Sequence, residues 1–207
     1  MLAAQTITLK QELLDSVKPY AFGTGRYPTP AALDDLERLI RQLERENPQP
    51  DLTQSFGSLE GMWRCLFTSS KYVLDLNKIP FVNLSAVYQR VTIDRAKNEG
   101  HYFNIAELSR GSAVKLACGE YAAIKPSAAA PAQVEVDYNY FYFAIRVLSD
   151  YEGKASLAAE LENNQLPTSV CLPFRKSGWQ STVYLDHDLR IVYGNQGGLF
   201  VLVKELE

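Results

Sequence analysis

A chain of 207 residues and 23.2 kDa is long enough to bury a substantial core without disulfide staples. With 21 Lys and Arg against 24 Asp and Glu, its net charge is −3, which argues against the basic face that non-specific nucleic-acid binding needs. The aromatics (12 Tyr, 9 Phe and 2 Trp) are unevenly placed, because only Tyr20, Phe22, Tyr27 and Phe56 precede residue 60. That skew predicts an N-terminal segment over residues 1–58 and a second region of different character over residues 59–207.

The N-terminal segment reads as two helices. Thr8 and Gln11 have the spacing of a capping box, and Leu9, Leu13, Leu14 and Val17 follow at helical spacing as far as Pro19. Gly23-Thr24-Gly25-Arg26 is a turn. A second helix starts at Thr29, with Pro30 in the first helical position. Leu33, Leu36, Leu39, Ile40 and Leu43 make one apolar stripe, and Glu37–Arg41 is a favourable pair on the polar face. Docking on its own chain is the simplest use of such a stripe. Asn47-Pro48-Gln49-Pro50 ends the helix.

Beyond Leu59 strand-like runs take over, at 61–69, 81–93, 102–108, 113–122, 133–148, 169–174, 182–185, 190–193 and 199–204. Lys97-Asn98-Glu99-Gly100 has the form of a hairpin tip, 126–131 of a loop, and Asn195-Gln196-Gly197-Gly198 of a hairpin turn. Lys154–Glu162 suits a short helix. Eight or nine strands in succession, without interleaved helices, predict a mainly β fold: an antiparallel barrel or sandwich behind N-terminal helices.

Chemistry-bearing clusters are sparse. Cys65, Cys118 and Cys171 are widely spaced, which excludes a CxxC redox or zinc element and favours a reducing, intracellular compartment. Asp186-His187-Asp188 could orient a general base, but no GxSxG elbow or cysteine-nucleophile motif accompanies it, so an exposed His between two solvated carboxylates is the plainer reading. The spacing calls for no metal and no organic cofactor, and an enzyme ranks third among the functional readings. No signal peptide is visible, and the longest apolar run, Phe141–Ile145, is far short of a membrane span. The expectation is a protein that is soluble or at most peripheral to a membrane.

A binding reading is better motivated. A barrel of about eight strands is filled by side chains or holds one small ligand. Along one strand Tyr138, Tyr140 and Tyr142 alternate with Phe141, Phe143 and Ile145. One set fills the core, and the tyrosines would find hydroxyl partners in a partly wet cavity or in solvent.

The run Leu59-Glu60-Gly61-Met62-Trp63-Arg64-Cys65-Leu66-Phe67-Thr68-Ser69-Ser70 resembles the first barrel strand of the plastid lipid-associated protein (fibrillin) family. That strand runs approximately Leu-x-Gly-x-Trp-x-Leu-x-Tyr-Thr-Ser, and here Cys65 stands for Leu and Phe67 for Tyr. Residues 181–191 and 194–202 are similar to the family's closing signature. Gly23-Thr24-Gly25-Arg26, Asn47-Pro48, and Tyr88-Gln89 before Asn104 fit in the same order. The resemblance spans nearly the whole chain and is least diagnostic from about Ser109 to Phe174.

The resemblance implies a lipocalin-like antiparallel β-barrel behind a helical pair. It also implies non-catalytic binding of a hydrophobic small molecule (lipid, carotenoid or prenylquinone) at or near photosynthetic membranes, with a link to photoprotection. A chain without a transit peptide looks like a cyanobacterial member. A filled barrel that works through its surface and helices is the alternative. Gly61, Trp63, Asp186 and Arg190 fall on signature positions. Gly61 would permit close approach of another segment, Trp63 would plug the closed end, and a cation from the final strands, with Arg190 the candidate, would stack on its indole. Tyr138, Tyr140, Tyr142 and Arg190 are the candidate ligand contacts. An Arg190–Tyr193 carboxylate clamp is disfavoured, since residues three apart on a strand face opposite ways.

Overall fold

The computed structural model describes residues 2–111, 114–147, 154–163 and 169–205. Among them eight strands occur: β1 (Gly61–Thr68), β2 (Asn83–Asp94), β3 (Glu99–Arg110), β4 (Val114–Pro126), β5 (Gln133–Val147), β6 (Ser169–Leu185), β7 (Leu189–Gly194) and β8 (Leu199–Lys204). Each pairs antiparallel with the next, and β8 pairs back on β1, so the sheet closes without an edge. The expected mainly β fold is thus an up-and-down barrel, the architecture that lipocalins share. Two of the expected runs are one element: 169–174 and 182–185 are the ends of the 17-residue β6. Pro173, inside the first run, and Gly178, between the two, lie opposite Tyr140 and Val136 in the β5–β6 ladder.

The helical pair consists of α1 (Leu2–Val17) and α2 (Pro30–Arg45). Thr29 caps α2, its hydroxyl oxygen accepting from the Ala32 N–H at 3.2 Å. The cap expected at Thr8 is a correction. The helix begins at Leu2, and Thr8 lies inside it, donating back to the Ala4 carbonyl at 3.1 Å, because the Ala-containing start of the chain carries the helix further upstream. Leu13, Leu36, Ile40 and Leu43 pack with Phe67, Tyr184, Ile191 and Val201 on the outer face of the barrel, so the apolar stripe covers its own chain.

Three shorter helices finish the enclosure. The helix α3 (Leu52–Ser55) runs into a 3-10 turn (Phe56–Leu59), and Leu52, Phe56 and Leu59 join the interior cluster around Trp63. Between β1 and β2, α4 (Lys71–Leu74) and the 3-10 turn Asp75–Lys78 bring Val73 and Leu76 against the same cluster from the opposite end. On the outer wall α5 (Lys154–Glu162) places Leu157 and Ala158 against Phe103, Ile105 and Tyr142. Much of the barrel wall is therefore buried on both faces. Among the described residues no helix is long and apolar enough to cross a membrane.

Candidate functional site

The closed end is organised by the residues of the first-strand motif. Trp63 is fully buried and donates its indole N–H to the Leu59 carbonyl at 2.8 Å. The cation over its ring is Lys204 of β8, with Nζ 5.2 Å from the centroid. This corrects the expected Arg190 stack: the cation does come from the final strands, but Arg190 lies opposite Leu202, and it is Lys204 that pairs with Trp63. Gly61 has φ +131, and a Cβ there would sit 2.6 Å from Lys204 Cε. Glycine at 61 thus clears the path of the lysine stem across the indole.

Asp186 ties this end to the helices. Its Oδ1 accepts from the Asp188 and Leu189 amides, and its Oδ2 accepts from the Tyr184 hydroxyl and from Lys10 of α1. Lys10 also contacts Asp188. Burial opposes ionisation of Asp186, but Lys10 and the amide donors outweigh it and hold the carboxyl well below the usual range. The Asp186–His187–Asp188 group therefore already has its cation, an ammonium. His187 is exposed at the surface. His101, on β3, has its Nδ1 2.7 Å from the Tyr121 hydroxyl on the outer wall.

Register decides which tyrosines face inward. Asn139 is an extra residue on β5: Tyr121 pairs with Tyr140, but the next residue, Ala122, pairs with Tyr138. Such a bulge inverts side-chain parity. Tyr138 faces inward with Phe141 and Phe143, while Tyr140 and Tyr142 point out beneath α5. The single-face expectation for the three tyrosines is corrected accordingly: Tyr138 borders the cavity, and Tyr140 and Tyr142 do not. Tyr142 lies over Gly119, where a Cβ would come within 2.6 Å of its hydroxyl, and donates to the Asn104 carbonyl at 2.8 Å. The Arg190–Tyr193 clamp is not formed, because β7 is regular there and Tyr193 packs on the outer cluster.

At the other end the barrel encloses a cavity of about 190 Å³. Its walls include Val87, Phe141, Phe200 and the thiols Cys65 and Cys118, and Tyr72, Val73 and Leu76 of the β1–β2 crossing close over it. Burial pushes both thiols up to about 12, so they act as small apolar groups.

A polar chain crosses the interior below this cavity. Arg190 is fully buried, yet its partners are neutral: Nη1 donates to Gln89 Oε1 at 2.6 Å and Nη2 to Gln180 Oε1 at 3.2 Å. Gln89 Nε2 then donates to Asn104 Oδ1 at 2.9 Å, and Asn104 Nδ2 to Glu120 Oε2 at 3.3 Å. Burial brings the Arg190 pKa down to about 10, which leaves it charged at neutral pH. Burial pushes the Glu120 carboxyl up, against its contacts with Asn104 and Tyr72 and the field of Lys176. Gln89, Asn104, Glu120, Lys176 and Gln180 all border the cavity, whereas Arg190 stands behind the two glutamines.

Of these residues only Arg190 carried a functional expectation, and Gln89 and Asn104 entered through resemblance alone. Their signal is nonetheless in the sequence: each is a polar residue at an inward position, Gln89 between Val87 and Val91, Asn104 between Tyr102 and Ala106, Glu120 between Cys118 and Ala122.

The fold is thus a closed up-and-down barrel, plugged at one end and open to a partly apolar cavity at the other. The chain belongs to the PAP/fibrillin family, whose model (PAP_fibrillin) matches residues 7–203. It is similar to "Probable plastid-lipid-associated protein 1, chloroplastic" of Arabidopsis thaliana, 26% identical over 97% of this chain and 70% of the relative. It is also similar to "Plastoglobulin-1, chloroplastic" of Pisum sativum, at 25% over 95% of this chain and 61% of the relative. A third relative is "Chromoplast-specific carotenoid-associated protein, chromoplastic" of Cucumis sativus, at 26% over 95% and 67%.

Proposed function

We propose that this protein is a non-catalytic binder that takes the end of an apolar or amphipathic small molecule into the open mouth of its barrel. The observation that carries this reading is the cavity: apolar walls, a polar floor, and a volume of about 190 Å³. Pockets that enclose a whole drug-sized molecule run to roughly 300–1,000 Å³. The volume here therefore suits a ring or head group, with any longer remainder outside the barrel. Burial of the apolar part contributes about 25 cal/mol per Å² removed from water. The names of the relatives point to lipids and carotenoids as the ligand class, and prenylquinones share the same amphipathic character. Peripheral contact with a photosynthetic membrane would supply such a ligand. In this reading Tyr138 is a wall residue, and Arg190 orders the floor without touching the ligand.

The test is purification of the native protein from its source cell under mild conditions, followed by mass spectrometry of co-purifying lipids and pigments. A stoichiometric apolar compound is the expected result. Repeated recovery of ligand-free protein would favour the second reading, an interaction protein working through its surface. Tyr72, Ile79 and Phe81, all exposed on the β1–β2 crossing, are the observation that speaks for that alternative.

A further inference from the structure

We propose that the Gln180 carboxamide is a pre-oriented hydrogen-bond donor in the cavity floor, aimed by Arg190, and that it selects a neutral apolar ligand ending in a carbonyl or hydroxyl oxygen. The inference rests on the binding reading above and specifies the polar end of the ligand.

A guanidinium offers donors only. The amide atom of Gln180 that faces Arg190 Nη2 at 3.2 Å must therefore be the oxygen, since the flipped amide would set N–H against N–H beside a buried cation. Nε2 is fixed by elimination. Gln89 is oriented in the same way by Nη1 at 2.6 Å, but its Nε2 is committed to Asn104 at 2.9 Å. Gln180 differs at this step: it borders the cavity, and its Nε2 makes no hydrogen bond among the described residues. That donor is left for the cavity, and a ligand oxygen there would satisfy it without breaking an existing bond. Arg190 thus acts as a positioning residue.

The surroundings define the rest of the ligand. Val87, Phe141 and Phe200 demand an apolar body. Glu120 and Lys176 border the same space and offset each other's charge, which favours a neutral head over an anionic one. A deprotonated carboxylate would gain little from Arg190, which sits behind the glutamines.

The test uses two isosteric probes that differ in the acceptor alone: 2-acetylnaphthalene, a ketone, and 2-isopropenylnaphthalene, its hydrocarbon counterpart. Binding of each to the full chain is measured by calorimetry or fluorescence. The unsubstituted protein should bind the ketone about two- to tenfold more tightly, the span expected of one net hydrogen bond. Gln180→Glu keeps the shape, replaces the donor by an acceptor and pairs with Arg190. It should abolish the preference, bringing the ratio of the two affinities to about one or below. Arg190→Met frees the amide to rotate and should lower the preference, read as the ratio of the two affinities. Should either variant fail to fold, side-chain amide NMR of the unsubstituted protein decides, because the ketone and not the hydrocarbon must shift the Gln180 NH₂ resonances. Equal affinity of the unsubstituted protein for both probes overturns the donor assignment and leaves the binding reading standing. A preference that persists in Gln180→Glu assigns the donor elsewhere and overturns the proposal. Failure of the unsubstituted protein to bind either probe overturns the binding reading and the proposal together.

Discussion

The two ends of the barrel are made from the same strands but filled differently. At the closed end the inward Trp63 meets its partners: the Leu59 carbonyl, the Lys204 ammonium and the apolar plug of Leu52, Phe56 and Leu59. The β6–β7 turn at that end is pinned to α1 through Asp186 and Lys10, and Asn47 accepts from the Leu185 amide at 3.1 Å. At the open end the inward positions hold amides and a carboxyl around a space, covered by a crossing of short helical turns. Polar groups at inward positions and unfilled volume weaken a core. The mouth has kept features that stability alone would not select, and that contrast is the physical basis for placing function there.

Breaking the closed end should have the largest effect. Trp63→Ala removes the plug side chain and strands the Leu59 carbonyl, so unfolding in denaturant should show a loss of about 3–5 kcal/mol. A loss below about 1 kcal/mol would mean that the plug is dispensable and the contrast between the ends is false. Asp186→Asn should cost less, about 1–3 kcal/mol, because a largely buried, charge-assisted cluster loses its charge. It should also change the pH profile. The Asp186 carboxyl lies below its ordinary value in the folded state, so its contribution is complete above the unfolded pKa of about 4 and is lost as pH falls below it. Denaturant midpoints should therefore fall less steeply in acid for Asp186→Asn than for the parent.

The closed end was also the more legible in sequence, for a physical reason. Gly61 and Trp63 sit in a short motif whose partners are local or in the adjacent strand, and alternation in β1 predicts their facing. The mouth depends on register that no periodicity reveals. One extra residue, Asn139, turns Tyr140 and Tyr142 outward, and their outer position is acceptable because α5 buries that face as well. An aromatic strand covered on both sides reads the same in either register. The Lys204–Trp63 stack depended likewise on a long-range pairing of β1 with β8, where the sequence offered several cations. The helical stripe of α2, by contrast, needed only a surface to cover, and its period was enough.

Filling the mouth should separate stability from binding. Ala106 is buried on the inner face of β3 and borders the cavity. Ala106→Leu places its added carbons in existing space, so its stability should stay within about 1 kcal/mol of the parent, below the usual range for overpacking. Probe affinity should nevertheless drop roughly tenfold or more as the apolar volume is occupied. Unchanged affinity would show that ligands sit elsewhere on the molecule.

The smallest expected effect is at Glu120, and it probes the floor most finely. The folded-state carboxyl is raised above the ordinary value of about 4.3, chiefly by burial. The unfolded chain then releases its proton first, so stability present at low pH is eroded as pH rises from that value through the folded pKa. Glu120→Gln removes this slope. Its oxygen can still accept from Asn104, and its new NH₂ can donate to the Tyr72 hydroxyl, which serves as acceptor or donor. The burial cost relieved and the charge-assisted bond weakened are of similar size, so at neutral pH the change should be within about 1 kcal/mol of zero. Urea midpoints of parent and variant, measured from pH 4 to 8, decide the matter: the gap between them should move in favour of Glu120→Gln as pH rises. Parallel curves would show that Glu120 ionises as freely as in water and that the floor of the mouth is wet rather than enclosed.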